Sequence, residues 1–414
     1  QETAEDSTLV NVAFRKVAKQ DIMGGVSTVN VRELMEKNYN TYSLDNMQGY
    51  VSGFNGAGMW GYTDQLVLID GVPREANNVK PDEIESISFL KGAQAVVLYG
   101  SKAAKGAILI TTKRGKVNNG LSVNVRANTG WAVAKSYPEY LGSAEYMYLY
   151  NEARANDGLS ALYSPETIAK YASGANPYRY PDVEFYSSEF IKKSYNRTDV
   201  TAEIEGGNER AKFYANVSYY RQGDFLKIGE AANNYVDRFN VRGNVDVKLN
   251  NYINAYVNAN ATYYNSKSAN GGSYWEAAAS FRPNRVAPLI PLSYIDPNSA
   301  QATNLIGTTK NYINGCFLGG AQTDLTNIFA DYYFAGKNTW TSRQFQFDAG
   351  VDVDLSSVTK GLSFHTMVAV DYRTSYTTSF NDTYATFTPT WSEYNGKDVI
   401  VALNTFDTVD KHSG

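Results

Sequence analysis

The chain has little cysteine or histidine and no long apolar run. Its 414 residues include one cysteine, Cys316, and two histidines, His365 and His412. One cysteine cannot form an internal disulfide bond. Two histidines are too few for a histidine-rich metal site, so we expect no metal and no cofactor. No segment approaches the roughly 18 apolar residues of a membrane-spanning helix. The net charge of −4 argues against a nucleic-acid partner.

The chain is instead rich in tyrosine and in alternating apolar and polar residues. Tyrosine occurs 33 times, and the mean hydropathy is −0.40. From residue 120 onward the hydrophobic period is two. Phe239, Val241 and Val245 share one face of such a segment, and Asn240 and Arg242 share the other. Seven segments follow this pattern: 121–131, 198–206, 211–222, 236–249, 252–264, 343–355 and 362–373.

These segments have the length and spacing of transmembrane strands. Most reach the roughly 9–11 residues that a tilted strand needs to cross a bilayer. Their connections alternate between short turns and longer loops, as periplasmic turns and extracellular loops do. A soluble sandwich would also alternate, but it has no reason to segregate loop length by side. The pattern therefore predicts a transmembrane antiparallel β-barrel, incomplete in this chain with about seven strands.

Residues 16–119 predict a small α+β domain ahead of the strands. The run 84–116 reads as a strand, a small-residue segment, a turn and a second strand, and residues 65–70 predict a buried strand. A compact domain ahead of a wide barrel is a plug. Seven strands cannot enclose a plug, because lumens that hold one need about 22 strands. We therefore expect residues 120–414 to be the first part of a barrel, with the remaining barrel segment as a partner.

The ordered motifs of the first 116 residues resemble the SusC/RagA family of TonB-dependent outer-membrane transporters of Bacteroidota. The matching pieces are LIDGVP (68–73), PDEIESI (81–87), LK (90–91), LYGSKAAKG (98–106) and ITTKRG (110–115). Within the N-terminal tail of residues 1–15, a short apolar segment resembles the TonB box. It consists of Leu9, Val10, Asn11, Val12, Ala13 and Phe14.

The resemblance implies a location in the bacterial outer membrane and no enzymatic activity. It also implies TonB-dependent active import of oligomeric nutrients, either oligosaccharides or oligopeptides. A SusD-like surface lipoprotein and TonB, with its inner-membrane motor, are the implied protein partners, and outer-membrane lipid surrounds the strands. No basic or apolar leader follows Gln1, so a signal peptide is expected to have been removed already. An outer-membrane receptor or adhesin that binds without transport is the alternative.

Five aromatic residues in predicted loops are candidate substrate contacts. They are Trp60, Tyr62, Tyr274, Trp275 and Trp340. Their rings could stack on sugar rings or peptide side chains, or they could pack within the protein and at the lipid boundary.

Two groups of charged residues have structural interpretations. Asp348, Asp352 and Asp354 share one strand face, and we expect them to form hydrogen bonds with the plug from the lumen. Lys113, Arg114 and Lys116 end the last plug strand, where a solvated link on the periplasmic side accounts for their charge.

Overall fold

A computed structural model describes most of the chain. The described residues are 9–12, 15–18, 21–22, 24–37, 42–56, 58–117, 120–321, 328–405 and 410–413. Ala13 and Phe14 of the predicted TonB box lie outside these ranges. Of the helices in the described ranges, none has the length and apolar character to cross a bilayer.

The plug is a five-stranded mixed sheet with two short helices. Its elements are β3 (Val26–Asn30), α1 (Val31–Lys37), β4 (Leu66–Ile69), β5 (Val72–Pro73), β6 (Ile84–Leu90), α2 (Ala93–Tyr99) and β7 (Ala107–Thr112). The strand order is β3-β6-β7-β4-β5, and only the β4–β7 pair is parallel. Ile84, Ile87 and Phe89 are fully buried. The α+β architecture predicted from the sequence is present.

A separate hairpin lies against this sheet. It consists of β1 (Leu9–Val12) and β2 (Arg15–Ala18), which pair antiparallel. The side chains of Val10 and Val12 join an apolar cluster that includes Leu68 and Leu90. The apolar start of the chain is therefore folded onto the plug.

The remaining long strands form one curved antiparallel wall. They are β8 (Ser122–Val133), β9 (Ser194–Gly207), β10 (Ala211–Gln222), β11 (Tyr235–Lys248), β12 (Ile253–Ala269), β15 (Gly336–Asp354) and β16 (Ser363–Thr383). A short strand, β19 (Lys411–Ser413), pairs with the end of β16, and the order across the sheet is β19-β16-β15-β12-β11-β10-β9-β8. All seven predicted strands are confirmed. In the described residues the sheet stays open, which agrees with an incomplete barrel.

The two faces of the wall differ in polarity. Asn240 and Asn244 are fully buried against the plug, whereas Phe239 and Val241 point away from it and remain 45% and 38% exposed. On β12 the outward apolar face runs from Ile253 to Tyr263. At about 3.3 Å per residue and a tilt of about 40°, these ten steps span about 25 Å, the height of a lipid-facing band.

The longer connections all lie at one end of the wall and fold together. They contain α3 (Ser143–Asn156), α4 (Pro165–Ser173), α5 (Tyr274–Ser280), β13 (Leu289–Pro291), α6 (Ala300–Ile306), β14 (Cys316–Leu318), α7 (Ile328–Phe334), β17 (Phe387–Tyr394) and β18 (Lys397–Thr405). Two apolar clusters hold this loop unit together. Within it, the hydroxyl group of Tyr384 donates to the half-buried carboxylate of Asp331.

The structure corrects two predicted loop boundaries. The connection expected over 265–342 is shorter, because β12 continues to Ala269 and β15 begins at Gly336. Trp340 therefore lies in a strand and not in a loop. The last predicted segment, 362–373, is also longer in the structure, because β16 continues to Thr383 and β19 returns beside it.

Candidate functional site

Glu83 is the most buried charged group between the plug and the wall. Its turn follows Pro81, whose fixed φ suits the first position of a short 3-10 turn. Glu83 is 0% exposed, and its Oε2 accepts from Arg242 Nε at 3.0 Å and from the backbone N–H of Lys80 at 3.2 Å. Asn240 Nδ2 donates to the other carboxylate oxygen. Every one of these partners is itself buried, so both oxygens of Glu83 are satisfied without solvent.

The two neighbours of Pro81 extend the contact to β8 and β9. Lys80 Nζ donates to Asp199 Oδ1 at 3.1 Å, and both side chains are less than a tenth exposed. Asp82 accepts from Arg126 and, at 3.1 Å, from Thr201 Oγ1. The motif PDE therefore places two carboxylates and a preceding ammonium group against opposite charges on three wall strands, β8, β9 and β11.

Arg74 joins the plug to β15 and β16. Its Nη1 donates to Asp348 Oδ1 at 2.8 Å, and its Nη2 donates to Asp371 Oδ1 at 2.6 Å. The predicted plug contact of Asp348 is thus confirmed. The same prediction is wrong for the other two aspartates, because Asp352 pairs with His365 at 2.6 Å and Asp354 accepts from the backbone N–H of Ser356.

Lys113 and Arg114 also bind the wall. Lys113 Nζ lies 2.6 Å from Glu203 Oε1, and Arg114 Nη1 lies 2.6 Å from Asp246 Oδ1. The Arg114 guanidinium group also lies 5.2 Å from the ring centre of Tyr256. The interpretation of these residues as a solvated link is wrong, since the link runs inside the curved wall and meets its acidic side chains.

The plug–wall contact is polar and partly open. A cavity of about 600 Å³ lies between the plug and strands β8–β10, with Pro81, Asp82, Arg126, Glu203 and Tyr214 in its lining. When the plug and the wall separate, each charged group can replace its partner with water. When a substitution removes only one partner, the other charge stays buried and unpaired. Such an interface holds the plug firmly and still permits its release as a unit.

The predicted TonB-box residues are only partly accessible. Leu9 is 41% exposed, whereas Val10 and Val12 are 7% and 9% exposed. Asn11 Nδ2 donates to Thr111 Oγ1 of β7 at 2.9 Å. The hairpin with β2 occupies one hydrogen-bonding edge of β1, and the side chains of Val10 and Val12 pack on the plug, so both contacts restrict the access of a partner to this segment.

Trp60 and Tyr62 lie on an exposed turn of the plug. They are 62% and 61% exposed, and Trp60 adopts a φ of 55°. The indole ring covers Gly53, where a Cβ atom would lie 3.1 Å from it. Both rings are available to a ligand, and their substrate role stays a prediction.

Tyr274 and Trp275 occupy different environments in the loop unit. Tyr274 is 2% exposed, and its hydroxyl group donates to the carbonyl oxygen of Phe185 at 2.5 Å. Burial raises the pKa of this hydroxyl group. Trp275 is 38% exposed and stacks on Tyr186, with ring centres 5.8 Å apart. The substrate role stays a prediction for both residues, but only Trp275 presents surface to solvent.

Trp340 lies on the inner face of the wall beyond the plug. Its ring centre is 6.1 Å from that of Tyr264, whose hydroxyl group donates to the carbonyl oxygen of Asn77 at 3.4 Å. Arg238 lies over the same tyrosine ring at 5.1 Å and also donates to Asn77. Trp340 therefore lies next to the contact between Tyr264 and the plug residue Asn77, and its substrate role stays a prediction.

No group of three or more histidine, cysteine, aspartate or glutamate side chains in the described ranges could hold a metal ion. The charged groups of this site instead pair with one another across the plug–wall contact.

Comparison with protein families supports the interpretation of the N-terminal domain. The TonB-dependent Receptor Plug Domain matches residues 11–107. TonB-dependent receptor P26 of Formosa agariphila is 24% identical over 370 residues, which cover 82% of this chain and 35% of that protein. TonB-dependent receptor SusC of Bacteroides thetaiotaomicron is 26% identical over 172 residues, 35% of this chain and 17% of that protein. Together these matches support a SusC/RagA-type TonB-dependent transporter.

Solved structures support the same fold. The RagAB peptide importer in its 'open-open' state matches 90% of this chain and 43% of its own chain, with a TM-score of 0.65 and 18% identity. At this identity the likeness shows the fold alone. The chain spans about a third of the length of the curated relative P26. The relatives are receptors and transporters, which confirms the prediction that the chain is not an enzyme.

The sequence analysis missed most of the plug–wall contacts. Arg74, Lys80 and Glu83 carry them from the plug, and Arg242 carries one from the wall. A signal was present, because Arg242 lies on the polar face of an alternating strand, and a charge on the lumen side of a barrel needs a partner. Which plug residue supplies that partner is set by the docking of two separately folded units.

Proposed function

We propose that this chain forms the plug and first wall of an importer that carries oligosaccharides or oligopeptides across the bacterial outer membrane. The observation that supports this function is the plug itself, held inside a lipid-banded wall by paired charges. A receptor or adhesin needs the loop unit to bind its ligand, but it has no use for a releasable plug.

In this proposal, the loop end faces the cell exterior and a SusD-like lipoprotein covers it. Ligand enters past Trp275, which lies in the loop unit, and past Trp340, which lies in β15. Exposed aromatic rings can stack on sugar rings and on peptide side chains alike, so these residues do not separate the two cargo classes.

TonB is the proposed source of energy. Leu9 to Val12 can add as a strand to the edge of a TonB sheet, since strand addition uses backbone N–H and C=O groups. The β1–β2 hairpin must open first, which would couple TonB binding to loosening of the plug. Pulling then breaks the ion pairs of Arg74, Glu83 and Lys113 and frees the lumen.

A pair of substitutions at Val10 tests this coupling. Val10→Ala and Val10→Pro both remove apolar packing, but only the proline removes a backbone donor and disfavours strand addition. We expect uptake to be lost in Val10→Pro and largely kept in Val10→Ala. Uptake of labelled oligosaccharides and labelled oligopeptides by cells that display equal amounts of each variant is the measurement.

The same assay separates the alternatives. Saturable uptake of one label identifies the cargo class. If deletion of residues 8–14 and Val10→Pro both leave uptake unchanged, energy coupling through this segment is wrong. Ligand binding by the wild type without any uptake would favour the receptor or adhesin.

A further inference from the structure

A cluster of three lysines lies at the loop end of strands β9 and β10. Lys192, Lys193 and Lys227, with Ser188 and Ile191, line a cavity of about 450 Å³. Lys192 and Lys193 directly precede β9, and Lys227 lies in the loop that follows β10. The cavity therefore lies at the rim of the wall, one short step beyond the strands.

The orientation of two of these lysines is fixed by backbone carbonyl groups. Lys192 Nζ donates to the carbonyl oxygen of Ala232 at 2.8 Å and to that of Asp224 at 3.3 Å. Lys227 Nζ donates to the carbonyl oxygen of Ser188 at 3.2 Å. An ammonium group has three N–H donors, so both lysines keep donors that these contacts do not use.

None of the three ammonium groups forms a salt bridge with a carboxylate of the described residues. Two acidic residues near Lys227 in the sequence are occupied elsewhere. Asp224 Oδ1 accepts from the backbone N–H of Phe225 at 2.6 Å, and its Oδ2 accepts from Asn234 Nδ2 at 2.8 Å. Glu230 pairs with Lys267 at 2.7 Å. Three cations around one cavity repel one another unless an anion lies between them. The three ammonium groups therefore carry positive charge without a carboxylate of the described residues at salt-bridge distance.

We propose that Lys192, Lys193 and Lys227 form a binding site for a phosphate group. A phosphate monoester carries up to two negative charges and several acceptor oxygens, which suits three ammonium groups better than a single carboxylate does. The position of the site at the rim of the lipid-facing band favours a phosphate borne by a lipid headgroup of the outer leaflet. A soluble phosphate is the other source of the same chemistry.

The source of the ligand, but not the site itself, rests on the proposed outer-membrane location. The site also lies away from the plug–wall contacts. A failure of import in the Val10 variants would therefore leave phosphate binding unchanged, and the two hypotheses can fail separately.

The test uses the full-length protein in detergent and the double variant Lys193→Gln/Lys227→Gln. Both side chains are exposed, so their replacement does not disturb the core, whereas Lys192 is left in place because it binds two carbonyl groups. The control is Lys170→Gln/Lys310→Gln, which removes two exposed lysine charges from the same loop unit. Binding of bisphosphorylated lipid A, dephosphorylated lipid A and inorganic phosphate is measured by native mass spectrometry and competition.

We expect the double variant to bind bisphosphorylated lipid A at least about tenfold more weakly than the wild type, from the loss of two charge-assisted contacts. The control should bind like the wild type, and dephosphorylated lipid A should bind weakly to all three proteins. Inorganic phosphate that binds the wild type as tightly as the lipid, and that loses affinity in the double variant, supports the site with a soluble source. Equal binding of every phosphate probe to the double variant and the control overturns the proposal. Should the double variant fail to insert, the single change Lys193→Gln gives the same comparison against Lys170→Gln.

Discussion

The Glu83–Arg242 pair offers a quantitative test of how the plug is held. Both side chains are less than 4% exposed, and their atoms lie 3.0 Å apart. Glu83→Gln keeps the size of the side chain but leaves the Arg242 charge buried without its counter-ion. Removing one partner of a buried pair costs about 3–5 kcal/mol. At about 1.4 kcal/mol for each tenfold change, the population of detached plug should rise by about 100-fold or more.

Hydrogen exchange of the plug amides in the full-length protein measures this population directly. Asp64→Asn is the matched control, because it breaks the exposed Lys105–Asp64 pair, whose side chains are 48% and 82% exposed. Such a surface pair contributes at most about 1 kcal/mol. The double variant Glu83→Gln/Arg242→Gln should recover much of the loss, since no charge is then left unpaired. Equal exchange rates in Glu83→Gln and Asp64→Asn would refute the reasoning.

The remaining predictions concern Arg74 and the loop unit. Arg74→Gln leaves the 2%-exposed Asp348 without its cation, which should destabilise the docked plug by about 3 kcal/mol and increase its cleavage by protease. Asp371→Asn changes a 41%-exposed partner and should destabilise the docked plug by less than about 1 kcal/mol. Tyr274→Phe removes the hydrogen bond to Phe185 and should lower the stability of the loop unit by about 1–2 kcal/mol, read by thermal unfolding, while Trp275→Phe should leave it nearly unchanged. Burial raises the pKa of Asp331 above its ordinary value of 3.8, despite the hydrogen bond from Tyr384. The folded loops then hold a proton that the unfolded chain releases, so their stability should fall as pH rises from about 4 to the folded pKa and stay level above it; Asp331→Asn should remove that slope in thermal unfolding.

The sequence predicted the fold correctly where a single local pattern determines the structure. Period-two alternation located all seven long strands, because each strand meets lipid on one face and polar groups on the other. The sequence pattern underestimates the lengths of β12, β15 and β16, because both strand faces become polar beyond the lipid band and the alternation is lost there. Trp340 illustrates this, because it lies in β15 but in a region that the pattern assigned to a loop.

Side-chain partners across the plug–wall contact were beyond sequence reasoning. Asp348 and Asp352 occupy the same strand face four residues apart, yet only the first meets Arg74, while the second lies near the turn and pairs with His365. Lys113 and Arg114 looked like a solvated link because their environment depends on the curvature of a wall more than 80 residues away. The height of a residue along its strand and the curvature of the wall are properties of the assembled fold, so they could not be predicted from the local sequence pattern.

The alternation of the wall also restricts how such a protein can diverge. A single residue inserted or deleted near the start of β11 would exchange the lipid-facing and plug-facing sets from that point on, which would put asparagine and arginine into the bilayer and unpair Glu83. Length changes in the loop unit carry no such penalty, because each loop begins and ends at the same rim. Evolution can therefore remodel the ligand-facing end freely while strand lengths stay fixed, and new cargo preferences should arise through loop insertions far more often than through changes in the wall.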